Sequence, residues 1–142
     1  LLLNQNGLMK MHKIMCLDVG TKRIGVALSD YLRVTAKGLC CVPRKPEEES
    51  IKEIKKMAKE NNVKVIVVGV PVNMDVTYGF QSEDCKNFAG NFDEFDIIFE
   101  DERLTSDLAE ENLRNRKIDF RKNKSLVDIE SACIILEQYL GK

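Results

Sequence analysis

Two kinds of apolar pattern alternate along the chain. Ile14, Met15, Cys16, Leu17 and Val19 form a nearly unbroken run, as expected of a strand buried on both faces. Asp18 stands near its end, where an ionised carboxylate needs a partner if it is to be buried. After Gly20 and Thr21 the pattern becomes strict alternation: Ile24, Val26 and Leu28 are separated by the small residues Gly25, Ala27 and Ser29. Residues 13–30 therefore predict a hairpin with Lys22 and Arg23 at its tip. Thr35 to Val42 predicts a third strand, ended by Pro43 and Pro46.

Helical spacing then takes over. Glu47 to Asn61 carries acids in its first turn and Ile51, Ile54, Met57 and Ala58 on one face. VKVIVVGV, from Val63 to Val70, is a second continuous run and predicts another central strand. A loop from Pro71 to Gly79 follows. Phe80 to Phe92 then places Cys85, Phe88, Ala89 and Phe92 at helical spacing, and Phe95 to Glu100 predicts a shorter strand. Asp107 to Arg114 reads as a helix capped by Thr105 or Ser106. Ser125 to Leu140 reads as the last helix, with Leu126, Ile129, Cys133, Leu136 and Leu140 along one stripe and Gly141 at its end. The order β-β-β-α-β-α-β-α-α implies an α/β fold. A meander is followed by helical crossovers, giving a mixed five-stranded sheet with helices on both faces.

Composition bounds this picture without redrawing it. The 142 residues are 44% hydrophobic and 32% charged, enough for one domain with a substantial core. Met11 reads as the natural start, with residues 1–10 a disordered extension or cloning remnant and 11–142 the domain. No apolar run reaches the ~18 residues of a membrane span. Five cysteines, an odd number without Cys-x-x-Cys, predict reduced, buried thiols and a cytoplasmic location. The single histidine, His12, lies at the ragged start of the chain, which argues against zinc and against Ser-His-Asp or Cys-His chemistry.

Charge changes the picture more. The formal net charge is −1, so no global attraction to nucleic acid exists. Residues 83–111, however, hold eleven acids and two bases, and residues 114–124 hold six bases and one acid. The basic segment comprises Arg114, Arg116, Lys117, Arg121, Lys122 and Lys124. It is either a solvated face or the electrostatic footprint of a phosphate-backbone binder.

Acids recur at element ends: Asp18 on the first strand, Asp101 and Glu102 after the fifth, Asp128 in the first turn of the last helix. Phosphodiester hydrolysis calls for hard divalent cations that activate water and offset charge on the leaving oxygen, and carboxylates on rigid elements suit Mg²⁺. Each acid also has a plainer role. Asp18 can cap the turn, Asp101 or Glu102 can pair with Arg103, and Ser125-x-x-Asp128 fits a capping box. Asp18-x-Gly20-Thr21 also resembles the phosphate-binding turn of actin-like ATPases and sugar kinases, although that architecture normally needs two such domains.

Four stretches together, LDVGTKRIGVALSD, VVGVPVNMD, DERLTS and VDIESACIILEQYL, resemble the YqgF/RuvX family in order and spacing. The resemblance covers essentially everything from Met11 onward. It implies a ribonuclease H-like fold related to RuvC-type Holliday-junction resolvases. Its members are regarded as junction resolvases or as nucleases that mature the 5′ end of pre-16S rRNA. By position it implies a catalytic, metal-ligating set of Asp18, Glu102 and Asp128, with Asp101 as the alternative to Glu102, and Mg²⁺ or Mn²⁺ as a pair of ions. Lys22, Arg23 and Arg103 match basic motif residues suited to phosphate contacts, and Asn73 and Asp75 match the family's Asn-Met-Asp loop. With Arg121, Lys122 and Lys124 these complete the expected nucleic-acid surface. Val76 replaces the Gly usual after the loop aspartate, Tyr78 and Phe80 are atypical, and Cys16 replaces a more usual Gly. The expected partner is structured RNA, acted on by a monomer without membrane attachment. A DNA-junction resolvase and a non-catalytic nucleic-acid-binding module are the competing expectations.

Overall fold

The computed structural model describes residues 11–71, 76–102 and 105–142. Asn73, Asp75 and Arg103 lie outside the described residues, as does the side chain of Tyr78. The elements run β1 (Lys13–Val19), β2 (Arg23–Ser29), β3 (Ala36–Pro43), α1 (Glu47–Glu60), β4 (Val63–Pro71), α2 (Val76–Ala89), β5 (Asp96–Glu102), α3 (Thr105–Asn115) and α4 (Ser125–Leu140). They make one mixed sheet in the order β3-β2-β1-β4-β5. The first three strands form the antiparallel meander, and β4 and β5 add in parallel on the other side of β1.

Strand alternation sorts the core into two layers. Met15, Leu17, Ile24, Val26, Ile66 and Val68 pack against Ile54 and Ala58 of α1, Cys85, Phe88 and Ala89 of α2, and Phe92 just beyond α2. Ile14, Cys16, Ala27 and Val67 face the other way, onto Ala132, Cys133, Ile135 and Leu136 of α4. Helices thus cover both faces, as the pattern predicted. α3 packs on α4, so the middle of α4 is covered on its outer side as well. Ser131 to Leu136 are all buried, and the single stripe expected on this helix widens into a buried belt.

Several boundaries move. α2 starts at Val76 instead of Phe80, and α3 takes Thr105 into its first turn, so Thr105 is no external cap. β5 continues pairing through Asp101↔Val70 and Glu102↔Pro71, which puts both acids inside the strand. At the start of α4 no side-chain cap hydrogen bond forms, so the capping-box role for Asp128 falls away. Cys16, Cys85 and Cys133 are buried, whereas Cys40 and Cys41 are only half-buried. No helix among the described residues is long and apolar enough to cross a membrane.

Candidate active site

The period of two along a strand decides which acids can meet. On β1, Asp18 follows Ile14 and Cys16 on the α4 face. On β5, Ile98 packs on the α4 layer and Ile97 on the opposite one, so Glu102 shares the α4 face and Asp101 points away from it, exposed. Both strands run parallel with β4 between them, so Asp18 and Glu102 sit at the same, carboxyl-terminal end of the sheet. Asp128, in the first turn of α4, comes down onto this end. The three acids line one cavity of about 290 Å³, together with Gly20 and Arg23 of the β1–β2 turn and Ser106 of α3.

Two strand glycines make the convergence possible. Gly25 pairs with Asp18 across β1 and β2, and a Cβ there would overlap the backbone carbonyl of Asp128. A Cβ on Gly69 would stand 2.5 Å from Glu102 Oε2 and 2.6 Å from Ile135 Cδ1. Bare backbone at these positions lets α4 descend and lets the Glu102 side chain lie across β4.

The electrostatics report uncompensated negative charge. Burial, then the neighbouring Glu102 and Asp128, holds Asp18 well above the ordinary carboxylate range. Burial likewise raises Glu102. The Cys85 thiol beside them is pushed up to about 12, first by burial and then by the charges of Glu102 and Asp18. Asp128 is the exception: its Oδ2 accepts a hydrogen bond from Arg23 Nε at 2.5 Å. As the side chains stand, no three acids, cysteines or histidines among the described residues grip one point in space. The donor set nevertheless fits a hard divalent cation: it is all oxygen, on rigid elements, with charge left to neutralise.

The remaining expected residues separate into groups. Lys22 is exposed at the turn, and Arg23 is half-buried on Asp128. Arg121 is committed to Asp119, donating from Nε and Nη2 at 3.1 Å each. Arg114 pairs with Glu110 at 3.3 Å and Arg116 with Glu130 at 2.7 Å. Lys117, Lys122 and Lys124 are exposed, and the other three cations of the segment are paired with acids, only one of which, Asp119, belongs to it. Sequence reasoning missed Arg44, a buried cation behind the turn, and the use made of Gly25 and Gly69. A glycine inside a predicted strand was the available signal for close approach.

With this geometry in view, the comparisons are informative. The family model described as "RuvX: Holliday junction resolvase" matches residues 12–142. A Clostridium acetobutylicum protein designated a candidate pre-16S rRNA nuclease is 43% identical over 133 residues, covering 91% of this chain and 98% of its own. A Crocosphaera subtropica protein with the same designation is 42% identical over 129 residues, covering 89% and 90%. Among solved structures, the fowlpox virus resolvase with Holliday-junction DNA superposes with a TM-score of 0.55 at 13% identity, covering 91% of this chain and 97% of that one. T. thermophilus RuvC with its junction substrate gives 0.52 at 10% identity, covering 91% and 93%. At such identities the structures speak for the ribonuclease H-like fold alone.

Proposed function

Because the chain belongs to the RuvX family, we propose that it is a divalent-metal-dependent nuclease that matures the 5′ end of pre-16S rRNA, with Asp18, Glu102 and Asp128 as its catalytic, metal-ligating set. The observation that carries this reading is the meeting of three acids on one face of the sheet, two of them held above the ordinary carboxylate range. Asp18, Glu102 and Asp128 would hold Mg²⁺ or Mn²⁺, which would supply neutralisation at the cleaved phosphate and acidify the attacking water. The chain supplies the rest. β1 and β5 fix Asp18 and Glu102 rigidly, and α4 sets Asp128 against them. Arg23, at the mouth, exchanges Asp128 for a phosphate oxygen of the substrate. Lys22, Arg103, Lys122 and Lys124 follow the backbone, Asn73 and the loop around it shape the substrate, and Arg121 joins them on leaving Asp119. Residues 11–142 act as one domain, in the cytoplasm, on structured RNA.

The resemblance to resolvases in complex with junction DNA supports a second reading, cleavage of four-way junctions. Symmetric cutting requires a two-fold dimer. The described surface exposes Tyr31, Leu32 and Val34 on the β2–β3 turn, at the end of the sheet remote from the acids, Leu39 in the middle of edge strand β3, and Phe80, Phe99, Leu108 and Ile118 elsewhere. The RNA reading needs no such seam, because a monomer can trim one strand at a time.

Incubating the protein with pre-16S precursor RNA and with a four-way DNA junction, in Mn²⁺ and in chelator, separates the two. Precursor shortened at its 5′ end only with Mn²⁺, and not by Asp18→Asn, is the expected result. Paired symmetric cuts in the junction with the precursor left intact would replace the RNA reading. Cleavage of neither, with binding of both, would leave a nucleic-acid-binding module.

A further inference from the structure

Arg44, directly after β3, is buried although its charge has no part in the reading above. Its guanidinium makes a fork to Asp84 of α2, with Nη1 donating to Oδ2 and Nη2 to Oδ1 at 2.8 Å each. Nη1 also donates to the carbonyl of Gly20 at 3.0 Å. The Arg44 backbone N–H donates to the carbonyl of Lys22 at 2.9 Å, and the guanidinium lies 4.9 Å from the centre of the Phe88 ring. One side chain therefore bridges the β1–β2 turn, two residues beyond Asp18, and the helix that forms another wall of the cavity.

A neighbouring contact makes the same connection independently. Cys85, next to Asp84, reaches the carbonyl of Val19 with its sulfur at 3.6 Å. Two consecutive residues of α2 thus hold the two consecutive carbonyls that follow Asp18, one directly and the other through Arg44. Asp84 lines the acid cavity as well. With both oxygens committed to Arg44 it is withdrawn from ion binding, and its charge is cancelled in a place where a phosphate backbone must approach.

We propose that Arg44 is a positioning residue that locks α2 to the turn carrying Asp18 and, by holding Asp84, keeps a fourth carboxylate charge from acting in the cleft. The locking half concerns the folded chain alone; the charge half rests on the nuclease reading. Two effects follow that ordinary loss of stability does not reproduce. Loosening the turn lowers kcat, because small misplacements of reacting groups cost rate steeply. Releasing Asp84 raises KM, because a free carboxylate repels phosphates.

The test uses the full chain and four variants: Arg44→Gln, Arg44→Lys, Asp84→Asn and Arg44→Gln with Asp84→Asn. With Mn²⁺ and precursor RNA, Arg44→Gln is expected to lose about 10- to 100-fold in kcat and to raise KM. Adding Asp84→Asn returns KM toward the parent value while kcat stays low. A double variant with KM as high as Arg44→Gln alone overturns the charge half. Hydrogen exchange without metal or RNA reads the locking half: the amides of Gly20 to Arg23 exchange faster in Arg44→Gln, while those of β4 and α1 keep the parent rate. Uniform acceleration over the whole sheet, or unchanged exchange at the turn, overturns that half. Should Arg44→Gln not fold, Arg44→Lys, which breaks the fork but keeps Asp84, is read in the same way, and Asp84→Asn, which loosens the turn without freeing a carboxylate, is expected to lower kcat and leave KM unraised. A parent protein that cleaves no RNA refutes the nuclease reading and with it the charge half, whereas the exchange result still decides the locking half.

Discussion

The two faces of the sheet are built on different terms. Toward α1 and α2 the layer is filled by bulk: Met15, Leu17, Ile24, Ile54, Ile66, Phe88 and Phe92 are among the largest fully buried side chains. Toward α4 the strands offer Ile14, Val67 and the smaller Cys16, Gly25, Ala27, Gly38 and Gly69, and the helix answers with Ala132 and Cys133 beside the bulkier Ile135 and Leu136. One face removes as much apolar surface from water as its area allows. The other gives up side-chain volume for nearness, which lets a helix bearing Asp128 approach strands bearing Asp18 and Glu102. More of the large buried side chains lie on the first face, and the acids meet on the second.

That division can be broken experimentally. The largest effect is expected from Phe92→Ala on the bulky face: about 3–5 kcal/mol of stability is lost, measured by denaturant unfolding, while cleavage per folded molecule stays at the parent level. A matching loss of specific activity would mean that the bulky face also sets the site.

On the close face the ion itself is the probe. Mn²⁺ at a hundredfold excess over its Kd should stabilise the folded chain by ~2.7 kcal/mol, seen as a rise in Tm, and Asp18→Asn should lose this response. The pH dependence without metal has a definite sign. Asp18 and Glu102 hold protons more tightly folded than unfolded, so stability falls as pH rises from the ordinary carboxylate range through their raised values. Asp84, lowered by Arg44, works oppositely and in a more acid window, losing its contribution as pH falls through its depressed value. In Asp18→Asn the decline above the carboxylate range should flatten. A parent Tm that climbs steadily across that window would refute the assignment.

Gly25→Ala tests nearness directly. The added Cβ meets the Asp128 backbone, so α4 must lift, at a cost of about 1–3 kcal/mol. The telling outcome is that the Mn²⁺ response disappears although the stability lost is smaller than in Phe92→Ala. A Gly25→Ala protein that keeps the full Mn²⁺ shift would show that α4 need not sit so low.

The smallest effect concerns the approach to α4. Each phosphate contact removed should reduce the slope of log affinity against log salt by ~0.7–0.9. Lys122→Gln and Lys124→Gln should each show this for RNA binding. Arg121→Gln should show less, because its guanidinium is already satisfied by Asp119. Three unchanged slopes would make the segment a solvated face.

Much of this architecture was legible because it is local. The continuous runs at β1 and β4, the alternation in β2 and the helical spacing in α1 each write their burial into consecutive residues. The start of α2 was not legible: Val76, Thr77 and Gly79 are poor helix formers, and the pattern resumed only at Phe80. The resemblance already put Glu102 ahead of Asp101, and the register of β5 adds which of the two shares a face with Asp18. The belt on α4 was visible as Ala-Cys-Ile-Ile-Leu, but its meaning depended on α3 lying outside it. Arg44 was out of reach, since its role comes from residues 24 and 40 positions away, a separation that no local pattern spans.

The ion pair between Arg23 and Asp128 bears on whether the proposed metal would be needed for folding. A small domain whose acids have no internal cation folds only when its metal arrives, and the metal is then part of its folding free energy. Here a tethered guanidinium already sits on one of the three acids. On the nuclease reading proposed above, the chain would reach its fold without the ion and take it up afterwards. Binding of the ion would then be an exchange against an arginine, and the test is that the chain keeps its Tm transition in chelator while the Mn²⁺ shift can be removed and restored without unfolding it.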